Sequence, residues 1–216
     1  VDAQAKLSIL SAVGLRRPIN PQEIACRSIR GICRTDFEAA GLLGCVIRQV
    51  STVELTEEGD AVRAEVGPAM VNLRSRIAQV SGNENVVVLD GISCGEVTLI
   101  GQGAGGDPTA VAIVSDLLAI ASGDASPNLF PSVGASYQVE TMGKRSHYVR
   151  VTGPQSVPRI LSELGVEAAR TLKDRDGQGQ FVTDACTTEV IESALRPSET
   201  TRGDGAESAV VLPIID

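Results

Sequence analysis

Tryptophan is absent, histidine occurs once, and Phe and Tyr bring the aromatics to only 2% of 216 residues. A core must therefore be assembled from Val, Ile, Leu and Ala, side chains that suit α/β packing. With His147 as the sole histidine, a metal site built on several imidazoles is excluded. Basic residues are also scarce: 19 Lys+Arg against 27 Asp+Glu leave a net charge of −8. No Lys/Arg cluster offsets that deficit, so no nucleic-acid partner is expected. No apolar run approaches the ~20 residues of a membrane-spanning helix, and no signal peptide is recognisable. The five cysteines (Cys26, Cys33, Cys45, Cys94, Cys186) are odd in number and never spaced C-x-x-C. They read as reduced thiols packed as small hydrophobes in a cytoplasmic protein.

What is present is a globular composition, 43% hydrophobic and 21% charged. Residues 1–13 read as a helix stopped by Gly14, and Asp2 and Lys6 stand four apart on one of its faces. Residues 23–32 read as a strand. Thr35 followed three later by Glu38 fits a capping box, opening a helix that ends near Gly41 or Gly44. Alternating apolar residues over 45–55 and 61–66 flank the turn Thr56-Glu57-Glu58-Gly59-Asp60, which predicts an antiparallel hairpin. Two further strands are expected around Val86–Leu89 and over 95–100.

Beyond them comes Gly101-Gln102-Gly103-Ala104-Gly105-Gly106, then Asp107 as expected N-cap and Pro108 at the first helical position. The helix that follows, to about Ala121, is apolar nearly all round and is expected to be buried. Gly101, Gly103 and Gly106 satisfy G-x-G-x-x-G. A dinucleotide fingerprint, however, needs a βαβ unit with a second strand ending in an acidic residue. Here the helix runs into a Gly/Ser/Pro-rich stretch. Three readings stay open: a pyrophosphate cradle, a tight structural turn, and a loop touching a ligand held mainly by another domain. The third is favoured.

Residues 122–136 read as a linker or an extended crossing. After it the pattern becomes strand 147–152, helix 157–164, strand 166–172, strand 180–185, helix 188–195 and strand 208–214. That is the βαββαβ order of a ferredoxin-like domain. His147 reads as structural, and the acidic turn Glu57–Asp60 as solvated.

The order of motifs resembles the second half of homoserine dehydrogenase. Asp2 and Lys6 match the Asp and Lys that end that family's Gly-x-Asp-x-x-x-Lys motif, and Leu7–Ser11 its continuation. Asn85–Gly91 through Gly95-Glu96 is similar to a second block. Gly101–Ala110, followed by Asp116, matches a third, long one. Residues 144–216 resemble an ACT domain, whose usual Asp-x-Pro-Gly loop reads Thr152-Gly153-Pro154-Gln155 here and whose usual Thr-His reads Asp184-Ala185.

The resemblance implies an α/β (α+β) architecture. A mixed-sheet substrate-binding and dimerisation domain with helices on one face (1–121) is joined by a linker (122–143) to a ferredoxin-like, ACT-type regulatory domain (144–216). It implies an oxidoreductase interconverting L-homoserine and L-aspartate 4-semialdehyde with NADP or NAD, in threonine and methionine biosynthesis. Lys6 would carry the proton at the substrate oxygen, Asp2 would bind the substrate ammonium or orient Lys6, and Gly103, Ala104 and Gly105 would lie near the nicotinamide. On spacing alone, Asp2 and Lys6 equally make a surface ion pair. An amino-acid effector at the ACT-like part and a homo-oligomer, dimer or tetramer, are also implied. Because the chain begins Val-Asp-Ala rather than with Met, it reads as a fragment, with the Rossmann domain, a second lysine and a metal-ion site upstream. By itself it is then expected to be inactive and to bind nucleotide poorly. Two other readings are an amino-acid sensor on a scaffold and a non-catalytic dimerisation fragment.

Overall fold

The computed structural model describes residues 1–123, 136–152, 165, 168–175, 178–195 and 208–216. Its elements are α1 (Asp2–Leu10), β1 (Ala25–Cys26), α2 (Arg34–Leu42), β2 (Cys45–Leu55), β3 (Ala61–Asn72), β4 (Glu84–Gly91), β5 (Gly95–Gln102), α3 (Gly106–Ser122), β6 (Gln138–Glu140), β7 (His147–Thr152), β8 (Ala168–Arg175), β9 (Gln178–Thr183), α4 (Thr188–Ala194) and β10 (Ser208–Ile215). The expected mixed α/β architecture is present.

β3 is the spine. Along one edge it pairs antiparallel with β2, from Cys45↔Asn72 to Leu55↔Val62. Its other edge is shared by three short parallel partners: β6 at Ala61–Arg63, β1 at Glu65–Val66 and β10 at Met70–Val71. Pro68 falls in the gap between β1 and β10. The carbonyl of Val66 accepts from the Arg27 N–H at 2.9 Å. By two-residue alternation, Pro68 therefore turns its missing N–H to that same edge, where no partner needs it. This is why a strand with an internal proline can be almost wholly buried.

β10 also leads the second part of the sheet, ordered β10-β7-β9-β8 and antiparallel throughout. In order of appearance these are strands 4-1-3-2 of the last four, the ferredoxin-like arrangement. The helix expected at 157–164 lies outside the described residues. β4 and β5 form a separate two-stranded antiparallel sheet.

Several elements differ from their sequence reading. α1 ends at Leu10 and passes into a five-residue π turn, Ser11–Leu15, closed by Arg16 at φ 53°. The strand expected over 23–32 is only Ala25–Cys26, followed by a 3₁₀ turn at Ile29–Gly31. The cap of α2 is Cys33, not Thr35: Asp36 reaches back to accept the Cys33 N–H at 2.8 Å. The cap of α3 is Gly105, which moves Asp107 and Pro108 into the first turn. Part of the expected linker is strand β6. The helix α3, expected to be buried, buries no residue: Val111, Ile113, Val114, Leu117, Leu118 and Ile120 are 53–68% exposed. Apolar composition shows that a helix has a face to cover, but not which segment covers it. No helix among the described residues is long and apolar enough to cross a membrane.

The core is rich in Val and Ala, as the shortage of aromatics requires, yet Tyr148 and Phe181 are fully buried within it. One cluster spans both parts of the chain: Ala39 and Ala40 of α2 and Met70 of β3 pack with Tyr148, Val210 and Leu212. At its margin lies a buried charge. Asp36 accepts from Arg150 Nε at 2.8 Å and from the Tyr148 hydroxyl at 2.9 Å. Burial pushes the Asp36 carboxyl up, but the bonds from Arg150, the Cys33 N–H and Tyr148 outweigh it and leave its pKa lowered. Glu65 of β3 likewise accepts from Arg27 at 2.6 Å and from Arg145. All five cysteines are free; Cys45 and Cys186 are buried, whereas Cys26, Cys33 and Cys94 are exposed.

His147 is fully buried, with Nε2 2.9 Å from the Thr188 hydroxyl, so its structural reading fits. Burial, with help from the nearby Arg145 and Arg27 charges, pulls its pKa down to about 4. As pH falls, the unfolded chain protonates this group first. The stability it carries is full above its unfolded value of about 6.5 and is lost as pH falls from there through the folded value. Urea unfolding between pH 7 and pH 4 should show this loss, and His147→Gln should remove on the order of 3 kcal/mol of it. At constant pH 7, Asp36→Ala should cost ~3–5 kcal/mol by leaving Arg150 buried without its counter-charge.

Candidate functional site

α1 is fastened from below. Gln4 donates to the Ile24 carbonyl at 2.8 Å, Ser8 to that of Ile19 at 2.6 Å, and Leu7 is buried against Ile19, Ile24 and Val62. This fixes the helix's rotation, and its opposite face carries the two residues of interest. Lys6 Nζ lies 2.9 Å from Asp2 Oδ2, with the side chains 68% and 82% exposed. Below the pair, Ile9, Leu10 and Val13 are also exposed. The helical spacing thus brings a carboxylate and an ammonium together on an open, partly apolar face held on rigid secondary structure.

The glycine loop is built differently. β4 and β5 run in register to Glu84↔Gln102, and one step further the Gly103 N–H donates to the Asn83 carbonyl at 2.8 Å. The Asn83 side-chain amide donates to the Ala104 carbonyl at 2.6 Å. A Cβ on Gly103 would lie 2.0 Å from Asn85 Nδ2, so a side chain there would have to push the exposed Asn85 amide aside. Gly105 has φ 133°, a region that favours glycine, and caps α3. The N–H groups of Ala104 and Gly105 have no partner among the described residues.

Thus the structure joins Asp2 to Lys6 and orders Gly103, Ala104 and Gly105 into one loop. The pair stands on α1, packed against the larger sheet, and the loop follows β5 of the separate two-stranded sheet. The strand pairing also bears on the G-x-G-x-x-G reading. β4 and β5 are antiparallel, and the next described strand, β6, pairs with β3 rather than β5. No βαβ unit surrounds the loop among the described residues, so it lacks the frame of a pyrophosphate fingerprint. No group of three or more His, Cys, Asp or Glu side chains arranged to hold a metal ion occurs among the described residues. Asn83 was not visible as a contributor from sequence. Its only local cue is the Gly82-Asn83 turn before a strand.

A mixed sheet flanked by helices, with a Lys/Asp helix face and a glycine turn entering a long helix, defines a two-part α/β protein. The comparisons then give the family. The homoserine dehydrogenase family model matches residues 1–118, and this chain belongs to that family. It is 31% identical over 185 residues to the homoserine dehydrogenase of Synechocystis sp., covering 77% of this chain and 41% of that protein. It is 34% identical over 176 residues to that of Mycobacterium tuberculosis, covering 78% and 40%. The chain therefore spans about two-fifths of the curated relatives it matches. In fold it is similar to the homoserine dehydrogenase of Thiobacillus denitrificans, with a TM-score of 0.80 and 24% identity over 100% of this chain and 53% of that one. It is also similar to that of S. aureus at pH 6.0, with a TM-score of 0.69 and 21% identity over 100% and 53%.

An exposed (i, i+4) pair contributes only ~0.3–0.5 kcal/mol. Asp2→Ala should therefore leave the urea midpoint of this chain nearly unchanged.

Proposed function

We propose that this chain is the substrate-binding part, with a C-terminal regulatory part, of an oxidoreductase that interconverts L-homoserine and L-aspartate 4-semialdehyde with NAD(P)(H). The observation that carries the reading is the Asp2–Lys6 pair, on one exposed face of a helix packed firmly onto the sheet, within the segment that the family model matches. Membership supports an oxidoreductase. NADP or NAD, the place in threonine and methionine biosynthesis, the cytoplasmic setting and a dimer or tetramer are parts of the proposal. We retain the division into residues 1–121, a linker over 122–143, and 144–216.

Lys6 is the proton carrier. Oxidising a hydroxyl to a carbonyl removes a hydride from carbon and a proton from oxygen, and the second needs a basic group within hydrogen-bond reach. The nicotinamide, when bound, supplies the hydride acceptor. Asp2 receives the substrate ammonium or orients the Lys6 amine, roles that its 2.9 Å contact with Nζ supports. Gly103, Ala104 and Gly105 fit a cofactor contact: the loop is exposed, and the Ala104 and Gly105 N–H groups have no partner among the described residues. The apolar faces of α3, and of β4–β5 at Leu89, Val97 and Leu99, are those we assign to the nucleotide domain and to a second subunit respectively. The 4-1-3-2 sheet supports an ACT-like module that takes an amino-acid effector.

The direct test is homoserine oxidation by the complete polypeptide that carries this chain, beside its Lys6→Ala variant. Loss of ~10²-fold or more in kcat with unchanged thermal unfolding supports Lys6 as the proton carrier. Unimpaired turnover by the variant removes that role, and absence of turnover by the wild type with either cofactor removes the enzyme reading in favour of an amino-acid sensor.

A further inference from the structure

The glycine loop is exposed, yet it is stitched to the end of β4 by Asn83 from both sides. The Asn83 carbonyl takes the Gly103 N–H at 2.8 Å, and its side-chain amide gives a hydrogen bond to the Ala104 carbonyl at 2.6 Å. A trans peptide unit points its C=O and N–H in opposite directions, and the described residues contain no cis peptide bond. Holding the Ala104 carbonyl toward Asn83 therefore turns the Gly105 N–H away from it, to the open side of the loop. Without that bond the 104–105 peptide plane, flanked by a glycine at φ 133°, would be free to rotate. The exposed Asn85 side chain lies in the space beside Gly103 that a Cβ would need.

We infer that Asn83 is a positioning residue for cofactor binding: its side-chain amide fixes the Gly105 N–H as a directed donor to an oxygen of the nicotinamide dinucleotide. This rests on the proposed reading of Gly103–Gly105 as a cofactor contact. Asn83 itself touches neither cofactor nor substrate. A hydrogen bond that orients rather than binds should act on affinity for the cofactor and spare affinity for homoserine.

The test uses the complete polypeptide and steady-state kinetics with NADP and homoserine varied in turn. Asn83→Ala and the isosteric Asn83→Asp are compared with Gly103→Ala. Aspartate keeps the size but replaces the donor by an oxygen facing the Ala104 carbonyl. The expected result is a rise of about five- to tenfold in cofactor KM for both Asn83 variants, with homoserine KM and thermal unfolding close to wild type. Wild-type kinetics in Asn83→Asp would overturn the inference, since Asn83 would then only fill space. A lowered unfolding temperature and kcat with unchanged cofactor KM would also overturn it, as a purely structural role. Gly103→Ala separates the premise from the inference. If it leaves the cofactor KM unchanged, the loop is not a cofactor contact and both fall. If it raises the KM while the Asn83 variants do not, only the role of Asn83 falls.

Discussion

The arrangement of this chain depends on a buried carboxylate shared between its two parts. Asp36 sits at the start of α2, and Arg150 and Tyr148, which bond it, stand on β7. A charge with 0% side-chain exposure is tolerable only with such partners, and Asp36 also takes the Cys33 N–H that would otherwise be orphaned at the helix start. A pair of this kind adds little net stability over an apolar substitute, but it permits only one geometry. Glu65 repeats the device on β3, held by Arg27 from its own part and Arg145 from the other. Two buried carboxylates from the first part thus each meet an arginine from the second. Apolar contact between α2, β3 and β10 could slide; these bonds cannot.

Local elements were largely legible from sequence. The β2–β3 hairpin, the β4–β5 pair and the last four strands announce themselves by apolar alternation and turn residues, because each depends on neighbours close in sequence. The sequence reading failed where a distant partner decides. Thr35 has the better capping side chain, but Asp36 caps from the third helical position because Arg150 and Tyr148 hold it there. The strand after Ile24 is cut to two residues because β6 holds β3's edge up to Arg63 and Pro68 has no N–H to carry the pairing on beyond Val66. β3 itself runs through Gly67-Pro68 to Asn72, beyond the expected 61–66, because the proline faces a gap that only the assembled sheet creates.

The same division runs through the candidate site. Asp2 and Lys6 were legible as a pair because helical geometry alone makes residues four apart adjacent. The turn at Gly103–Gly105 was legible as a glycine requirement. What holds it was not: Asn83 carries no motif of its own, and Asn85, though it opens a block similar to the family's, gives no sign in sequence that it reaches the loop across the strand pair. Sequence spacing also misled at α3. An all-round apolar helix reads as interior, whereas here it lies open on a chain that matches only part of each relative's length.

The division of β3's edge among three partners has a consequence for how the protein is made. β10 comes long after β3 in sequence, and its Ile214 and Ile215 pair with β3 beside the gap at Pro68. During synthesis, β2 and β3 can zip together early, while the stretch at Met70–Val71 waits with its hydrogen-bonding groups unmet. A nascent strand in that condition is a template for the wrong neighbour. Pro68 withholds one donor from that exposed rim, so the residue that lets the finished sheet change partners also makes the unfinished one a poorer seed for aggregation.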